Sequence, residues 1–261
     1  MIERAKNASR AWIARHPTGM KLVAVFALLL AATSCWFIYD IFSGLPGRDD
    51  LRSLRDATEL TTIYDTHDRE VFTIPTEYRI EMPLARISNN LKRAMVAVED
   101  VRFYEHSGVD GIRVVGAIIQ DVREGRKAEG ASTITQQLAR TGFLTRDKTL
   151  RRKLKEAILA QRLEKMYSKD EILELYLNKV YFGDGLYGAE AAAQGYFGKP
   201  ASNLTLAEGA LIAGLVKAPS ATNPTANPEK AVERRNIVLK LMFDNKLIDQ
   251  SAYAEAVAEP G

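Results

Sequence analysis

Cysteine is almost absent: Cys35 is the only one in 261 residues, which excludes an intrachain disulfide framework and a cysteine-based metal site. Histidine is nearly as scarce. His16, His67 and His106 are too scattered for a familiar zinc motif. A strong charge of one sign is also missing. The formal net charge of +3 is too small to mark a nucleic-acid partner. No repeat or low-complexity tract breaks the chain. What is present is ordinary globular composition, 46% hydrophobic and 26% charged, in a length that suits one or two domains.

The basic residues are unevenly placed. Arg4, Lys6, Arg10, Arg15 and Lys21 precede residues 22–39, a run with no charged side chain that ends at Asp40. Eighteen helical residues span roughly 27 Å, close to the hydrocarbon thickness of a bilayer. Trp36 and Tyr39 lie at its outer end, where amphipathic rings favour the headgroup level. The charge asymmetry therefore predicts a cytoplasmic basic tail (1–21), a transmembrane helix (22–42) and export of everything after it. The alternative, a cleaved secretory signal, meets an apolar stretch that is long for one and no Ala-x-Ala site close behind. Ala32-Thr33-Ser34-Cys35 faintly resembles a lipoprotein processing site, but apolar sequence continues past the cysteine, which favours a buried membrane thiol.

Gly44-Leu45-Pro46-Gly47 breaks that helix. Residues 60–64 and 70–74 read as a β-hairpin around Asp65-Thr66-His67-Asp68, within a juxtamembrane segment of 43–77. From Asn89 the pattern is helical. Leu91, Ala94, Met95 and Val98 set one apolar stripe on a helix ending near Glu99-Asp100. A second helix begins at Ser132 or Thr133. A third covers about 149–166 with Leu150, Leu154, Ala157 and Ile158 toward the core. Ser168 or Asp170 caps a fourth that runs to Asn178. Residues 206–215 are apolar nearly all round and read as a buried helix. Asn227-Pro228 opens another, and 246–261 form a helical tail. The exported part is mainly α.

Four stretches can carry chemistry. Glu99-Asp100 pairs two acids at a helix end, followed by Arg102, Phe103, His106 and Gly108. Repulsion between adjacent carboxylates favours a general base, whereas the plain alternative is a solvated acidic terminus. Gly130-Ala-Ser132-Thr-Ile-Thr-Gln-Gln137-Leu concentrates hydroxyls and amides at a helix start, where free N–H groups favour an anion. It reads equally as a well-capped helix. In the basic segment from Lys148 to Glu156, Lys153 and Glu156 share a face and Arg152 lies four residues before Glu156. These cations suit a pyrophosphate, or a surface salt-bridge ladder. Lastly, Tyr176-Leu-Asn178-Lys-Val-Tyr181-Phe-Gly183 leads into Gly185-Leu-Tyr187-Gly188, which can wall a carbohydrate cleft or pack a turn.

Taken in order behind a membrane anchor, these stretches resemble the family 51 peptidoglycan glycosyltransferase domain of class A penicillin-binding proteins. Glu99-Asp-x-x-Phe103-x-x-His106-x-Gly108 is similar to the first motif, and Gly130-Ala-Ser-Thr-Ile-Thr-Gln-Gln137-Leu-Ala-Arg140 to the second. Arg152-Lys153-x-x-Glu156 is similar to the third. Glu174-Leu-Tyr-Leu-Asn178 with Gly183 and Gly188-Ala-x-x-Ala-Ala is similar to the fourth. Glu208-Gly-Ala-Leu-Ile-Ala-Gly-Leu-Val-Lys217-Ala-Pro-Ser220, with Asn227-Pro228 and Arg234-Arg235, resembles the fifth. The resemblance covers roughly 78–242, and the domain is placed at 78–245.

The resemblance implies a lysozyme-like large lobe beside a smaller membrane-proximal jaw. It implies lipid II and the growing glycan strand as substrates, inverting transfer with release of a polyprenyl pyrophosphate, the bacterial inner membrane as the location, and cell-wall synthesis proteins as partners. Glu99 takes the place of the catalytic base and Glu156 that of a second catalytic carboxylate. Asp100, His106, Ser132, Gln137, Arg140, Lys148, Arg152 and Lys153 fall at substrate-binding positions. No cofactor is required, although a divalent cation such as Mg2+ beside Glu156 is compatible with the pattern. Phe143 and Leu144 are candidates to dip into the membrane interface. A lysozyme-like lytic enzyme and an inactive cell-wall scaffold are the competing classes. The first has no use for Arg152-Lys153-x-x-Glu156, because its leaving group is a sugar. Neither Ser-x-x-Lys nor Lys-Thr-Gly occurs, so these residues hold no penicillin-reactive serine. The tail resembles the linker before such a domain, which favours a fragment of a bifunctional protein over a monofunctional enzyme.

Overall fold

The computed structural model describes residues 17–55, 60–64, 70–75, 78–124, 132–145, 147 and 149–260. The chain divides into two units, Met1–Leu45 and Pro46–Gly261. The first contains α1 (Pro17–Ser43), in which Lys21–Ser43 has a mean hydropathy of 2.2 and is long and apolar enough to cross a membrane. Its Thr33 hydroxyl donates to the Leu29 carbonyl at 2.9 Å, so this polar group is satisfied within the helix, as lipid surroundings require. The basic tail before Pro17 lies outside the described residues.

The second unit is mainly α. It opens with α2 (Arg48–Arg52) and an antiparallel hairpin of β1 (Leu60–Tyr64) and β2 (Glu70–Pro75). The hairpin falls where alternation in the sequence puts it; its turn, with His67, lies outside the described residues. Then come β3 (Tyr78–Arg79), α3 (Asn89–Glu99), α4 (Gly111–Glu124), α5 (Ile134–Phe143), α6 (Leu150–Glu164) and α7 (Lys169–Lys179). They are followed by β4 (Leu186–Tyr187), α8 (Ala189–Phe197), α9 (Leu206–Leu215), α10 (Pro228–Asp244) and α11 (Gln250–Ala258). The two-residue β3 and β4 pair in parallel.

Helix starts follow their capping residues. Thr133 accepts from the Gln136 N–H at 3.1 Å while the Gln136 side chain reaches back to the Thr133 N–H at 3.0 Å. Ser168 and Glu171 form the same reciprocal box on α7, and Thr205 with Glu208 on α9. Each box satisfies two helix-end donors. Helix α9 is buried almost throughout, as its apolar composition predicts. It approaches α3 so closely that a Cβ on Gly209 would lie 2.9 Å from the Leu91 nitrogen.

Two helices were not apparent from periodicity. Helix α8 follows a glycine and carries four alanines among its nine residues, which gives little pattern. Helix α4 contains Gly111, Gly116 and many β-branched residues, all weak helix formers. It forms because Asp110 caps it: one carboxylate oxygen accepts from the Ile112 and Arg113 N–H groups at 3.0 and 3.1 Å. Arg102 clamps both Asp110 oxygens. Burial by itself would raise the Asp110 carboxyl, but the Arg113 N–H and the Arg102 guanidinium hold it below the ordinary carboxylate range.

The orientation of α6 also differs from expectation. Leu150 is 74% exposed and Leu154 38% exposed, not core-facing. The buried face is Glu156, Leu159, Ala160 and Leu163. The helix is rotated so that Leu159, Ala160 and Leu163 pack inward together with Glu156, and Leu150 and Leu154 are left outside.

Against that buried face lies Gly108, at φ +86°, where an added Cβ would stand 2.8 Å from the Ala160 carbonyl carbon. The Gly108 carbonyl accepts from the Thr133 hydroxyl at 2.6 Å, so the loop is clamped between α5 and α6. Gly108→Ala is expected to lower stability by about 2–5 kcal/mol, from left-handed backbone cost plus overpacking. Chemical denaturation of the purified chain measures it. A loss below about 0.5 kcal/mol would mean the loop can stand off α6 freely.

Candidate active site

Glu99 is the last residue of α3, and Asp100, at φ −159°, is already extended. This backbone break sends the two carboxylates in different directions. Asp100 is fully buried. Its oxygens lie 3.0 and 3.1 Å from His106 Nε2, and one accepts from the Ile134 N–H at 3.1 Å. Arg113 Nη1 stands 3.4 Å away on the other side. Asp100 therefore joins α3 to the start of α5, and its charge is compensated inside the protein. His106 stands beside it, half-buried, its side chain 9% exposed. Both residues were expected to bind substrate. In this arrangement neither side chain presents itself to a ligand, and what they hold in place is the start of α5.

Glu99 is only half-buried. Its Oε2 accepts from Gln137 Nε2 at 2.6 Å, and its backbone carbonyl accepts from Arg113 Nη1 at 2.7 Å. Gln137 Oε1 in turn accepts from the Tyr176 hydroxyl at 3.1 Å. Burial, then the Glu99 and Asp100 charges, push the Tyr176 phenol well above its ordinary value, against a lowering influence from Arg140. Tyr176 is therefore a neutral donor at any ordinary pH.

The cationic part gathers around α6. Lys153 Nζ lies 2.5 Å from Ser132 Oγ and 2.9 Å from Glu156 Oε2. Arg152 Nε is 3.0 Å from Glu156 Oε1. Glu156 is completely buried, while the Lys153 side chain keeps 41% of its surface exposed. A buried carboxylate thus aligns two cations and leaves one ammonium facing out. Arg140, half-buried in the last turn of α5, shares a face with Gln137 three residues earlier. Lys148 lies outside the described residues. Helix α5 and the residue before its cap thus bridge the two halves: Ser132 meets Lys153, and Gln137 meets Glu99.

A divalent cation does not fit Glu156 as it stands. Both its oxygens face cationic nitrogens, and among the described residues no second carboxylate joins it in a group that could hold a metal. Asp100, His106 and Asp110 do bring ligand atoms within 4.8 Å of one another. Their carboxylates, however, already face Arg102, Arg113 and backbone N–H groups, donors that a metal would have to displace.

Residues of the fourth motif frame the site. Asn178 exchanges two 2.9 Å hydrogen bonds with the Met82 backbone, and Glu174 accepts from the Leu84 N–H at 2.7 Å. Helix α7 thereby holds the segment ahead of α3. Tyr176 and Arg113 were not singled out from the sequence. Tyr176 sits inside a recognisable motif and reads there as an aromatic that walls a cleft or packs a turn, not as a partner of the base. Nothing in the pattern around Arg113 points to Glu99.

A family model described as transglycosylase matches residues 67–243. Penicillin-binding protein 1A of Aquifex aeolicus is 44% identical over 239 residues, covering 92% of this chain and 32% of that protein. Penicillin-binding protein 1A of Escherichia coli is 43% identical over 240 residues, 91% of this chain and 28% of its own length. A Cupriavidus necator protein provisionally named a transglycosylase is 50% identical over 179 residues, covering 69% of this chain and 77% of that one. The chain thus spans about a third of the penicillin-binding proteins and most of the shorter relative.

Proposed function

The chain belongs to the transglycosylase family, and on that premise we propose that it polymerises lipid II into glycan strands. The observation that carries the reading is the pairing of a half-exposed carboxylate, held by an amide, with an outward-facing ammonium backed by a buried carboxylate. Inverting transfer needs both. Glu99 takes the proton from the acceptor sugar's 4-hydroxyl as that oxygen bonds to the anomeric carbon. The bond from that carbon to the pyrophosphate breaks, and the polyprenyl pyrophosphate leaves with the electron pair. Lys153, with Ser132 beside it, and Arg140 receive the charge that develops there. Glu156 and Arg152 keep Lys153 in place. No covalent enzyme intermediate is needed for a single inverting displacement, and no step is routed through a metal.

The anchor suits this substrate. A long lipid leaves the bilayer at a cost of about 0.8 kcal/mol per methylene, so the catalytic unit works at the membrane. With the basic residues ahead of α1, the unit after it lies outside the cytoplasm. A reporter active only outside the cytoplasm is expected to work when fused at Gly261. Activity of a cytoplasm-only reporter there would reverse the topology.

The test of function is incubation of the purified chain in detergent with labelled lipid II, followed by sizing of the product. Long glycan strands and released polyprenyl pyrophosphate are expected. Cleavage of preformed glycan without polymerisation would point to a lytic enzyme, and no reaction at all to a scaffold.

A further inference from the structure

We propose that Tyr176 is a positioning residue for the base, acting through the Gln137 amide to dictate which Glu99 oxygen is free to react. The inference rests on the reading of Glu99 as base. Tyr176 is 2% exposed, and its hydroxyl lies 3.1 Å from Gln137 Oε1. A phenol that burial keeps protonated can always offer its proton there, and the amide oxygen is the end of Gln137 that accepts it. The amide NH2 must then face the other way, toward Glu99 Oε2 at 2.6 Å. A flipped amide would set its oxygen against the carboxylate and its NH2 against the phenol, losing the donor–acceptor match at the carboxylate. The chain of bonds has one direction: phenol to amide, amide to carboxylate.

Two consequences follow for the reaction. Oε2 is occupied by an N–H donor, so Oε1 is the atom left to take the hydroxyl proton. The backbone that carries this carboxylate is held independently, by Arg113 at the Glu99 carbonyl. Tyr176 touches neither substrate nor reacting atoms. Its ring belongs to the core and its hydroxyl serves the base.

Tyr176→Phe keeps the ring and removes only the donor. In lipid II polymerisation, turnover is expected to fall about 10-fold, the order of one hydrogen bond. The acidic limb of the pH–rate profile should move to higher pH, because a carboxylate deprived of a firm N–H donor takes up a proton more readily. In a Gln137→Met background, Tyr176→Phe should produce no further loss and no further shift, since the link between them is already gone. An effect of Tyr176 confined to packing would lower the melting temperature, leave the limb in place, and multiply with Gln137→Met. That result would overturn the proposal. Should Tyr176→Phe fail to fold, Gln137→Met alone decides: its limb must move, and an unmoved limb refutes the relay. An inactive wild-type chain, or a Glu99→Gln variant with full turnover, would instead refute the reading of Glu99 on which this rests.

Discussion

Glu99→Gln is expected to lower turnover in lipid II polymerisation by about 10²–10⁴-fold, the usual contribution of a general base. The substitution preserves shape and can still meet Gln137, since a glutamine oxygen accepts the same N–H. What it cannot do is accept the acceptor hydroxyl's proton. Substrate binding should therefore survive, with the loss falling on kcat and not on KM. Folding should be little changed, because Glu99 is half-exposed and its backbone tie to Arg113 is retained. The same change at Asp100 should behave oppositely. An amide there cannot receive His106, Arg113 and the Ile134 N–H together, so Asp100→Asn loses stability and activity together. Full turnover in Glu99→Gln would remove it from the mechanism.

Lys153→Ala is expected to cost about 10²–10³-fold in turnover, the order seen when one stabiliser of developing negative charge is removed. Its folding cost should be about 1 kcal/mol, because the Lys153 side chain is 41% exposed and Arg152 remains against Glu156 as a counter-charge. Glu156→Gln should look different. That carboxylate is wholly buried between Arg152 and Lys153, so neutralising it leaves cations without their counter-charge. A stability loss of about 1–3 kcal/mol should accompany the loss of activity. Measuring melting and turnover on both variants separates leaving-group chemistry from scaffolding. Normal polymerisation by both would reduce this cluster to a structural ion-pair network.

Much of the fold was legible because local chemistry and tertiary packing agree. Thr133, Ser168 and Asn227-Pro228 mark helix starts in the sequence and mark them in the structure. The run at 206–215, apolar but for Glu208, reads as a buried helix and is one. Helix α4 was not legible, because glycines and β-branched residues hide it and its Asp110 cap is braced by Arg102, a residue eight positions earlier. The face of α6 was misread because leucines outrank a glutamate in any periodicity count. Yet Glu156 is buried on the same face as Leu159, Ala160 and Leu163, where Arg152 and Lys153 compensate its charge. In the site, residue identities were legible and their directions were not. A Glu-Asp pair in sequence suggests two carboxylates repelling each other, whereas the backbone break at Asp100 turns one inward and leaves the other at the surface of the site.

The inward carboxylate has a consequence for how the protein breathes. Asp100 is a single point that the ends of three elements share: the last turn of α3, the first turn of α5 through the Ile134 amide, and α4 through Arg113. No one of these can fray without releasing the others' partner. Amide protons of the Ile134 turn and the Glu99 turn should therefore report one common opening free energy in hydrogen exchange, set by one shared opening. Base and leaving-group machinery then appear and vanish as a unit, so partly assembled sites are sparsely populated.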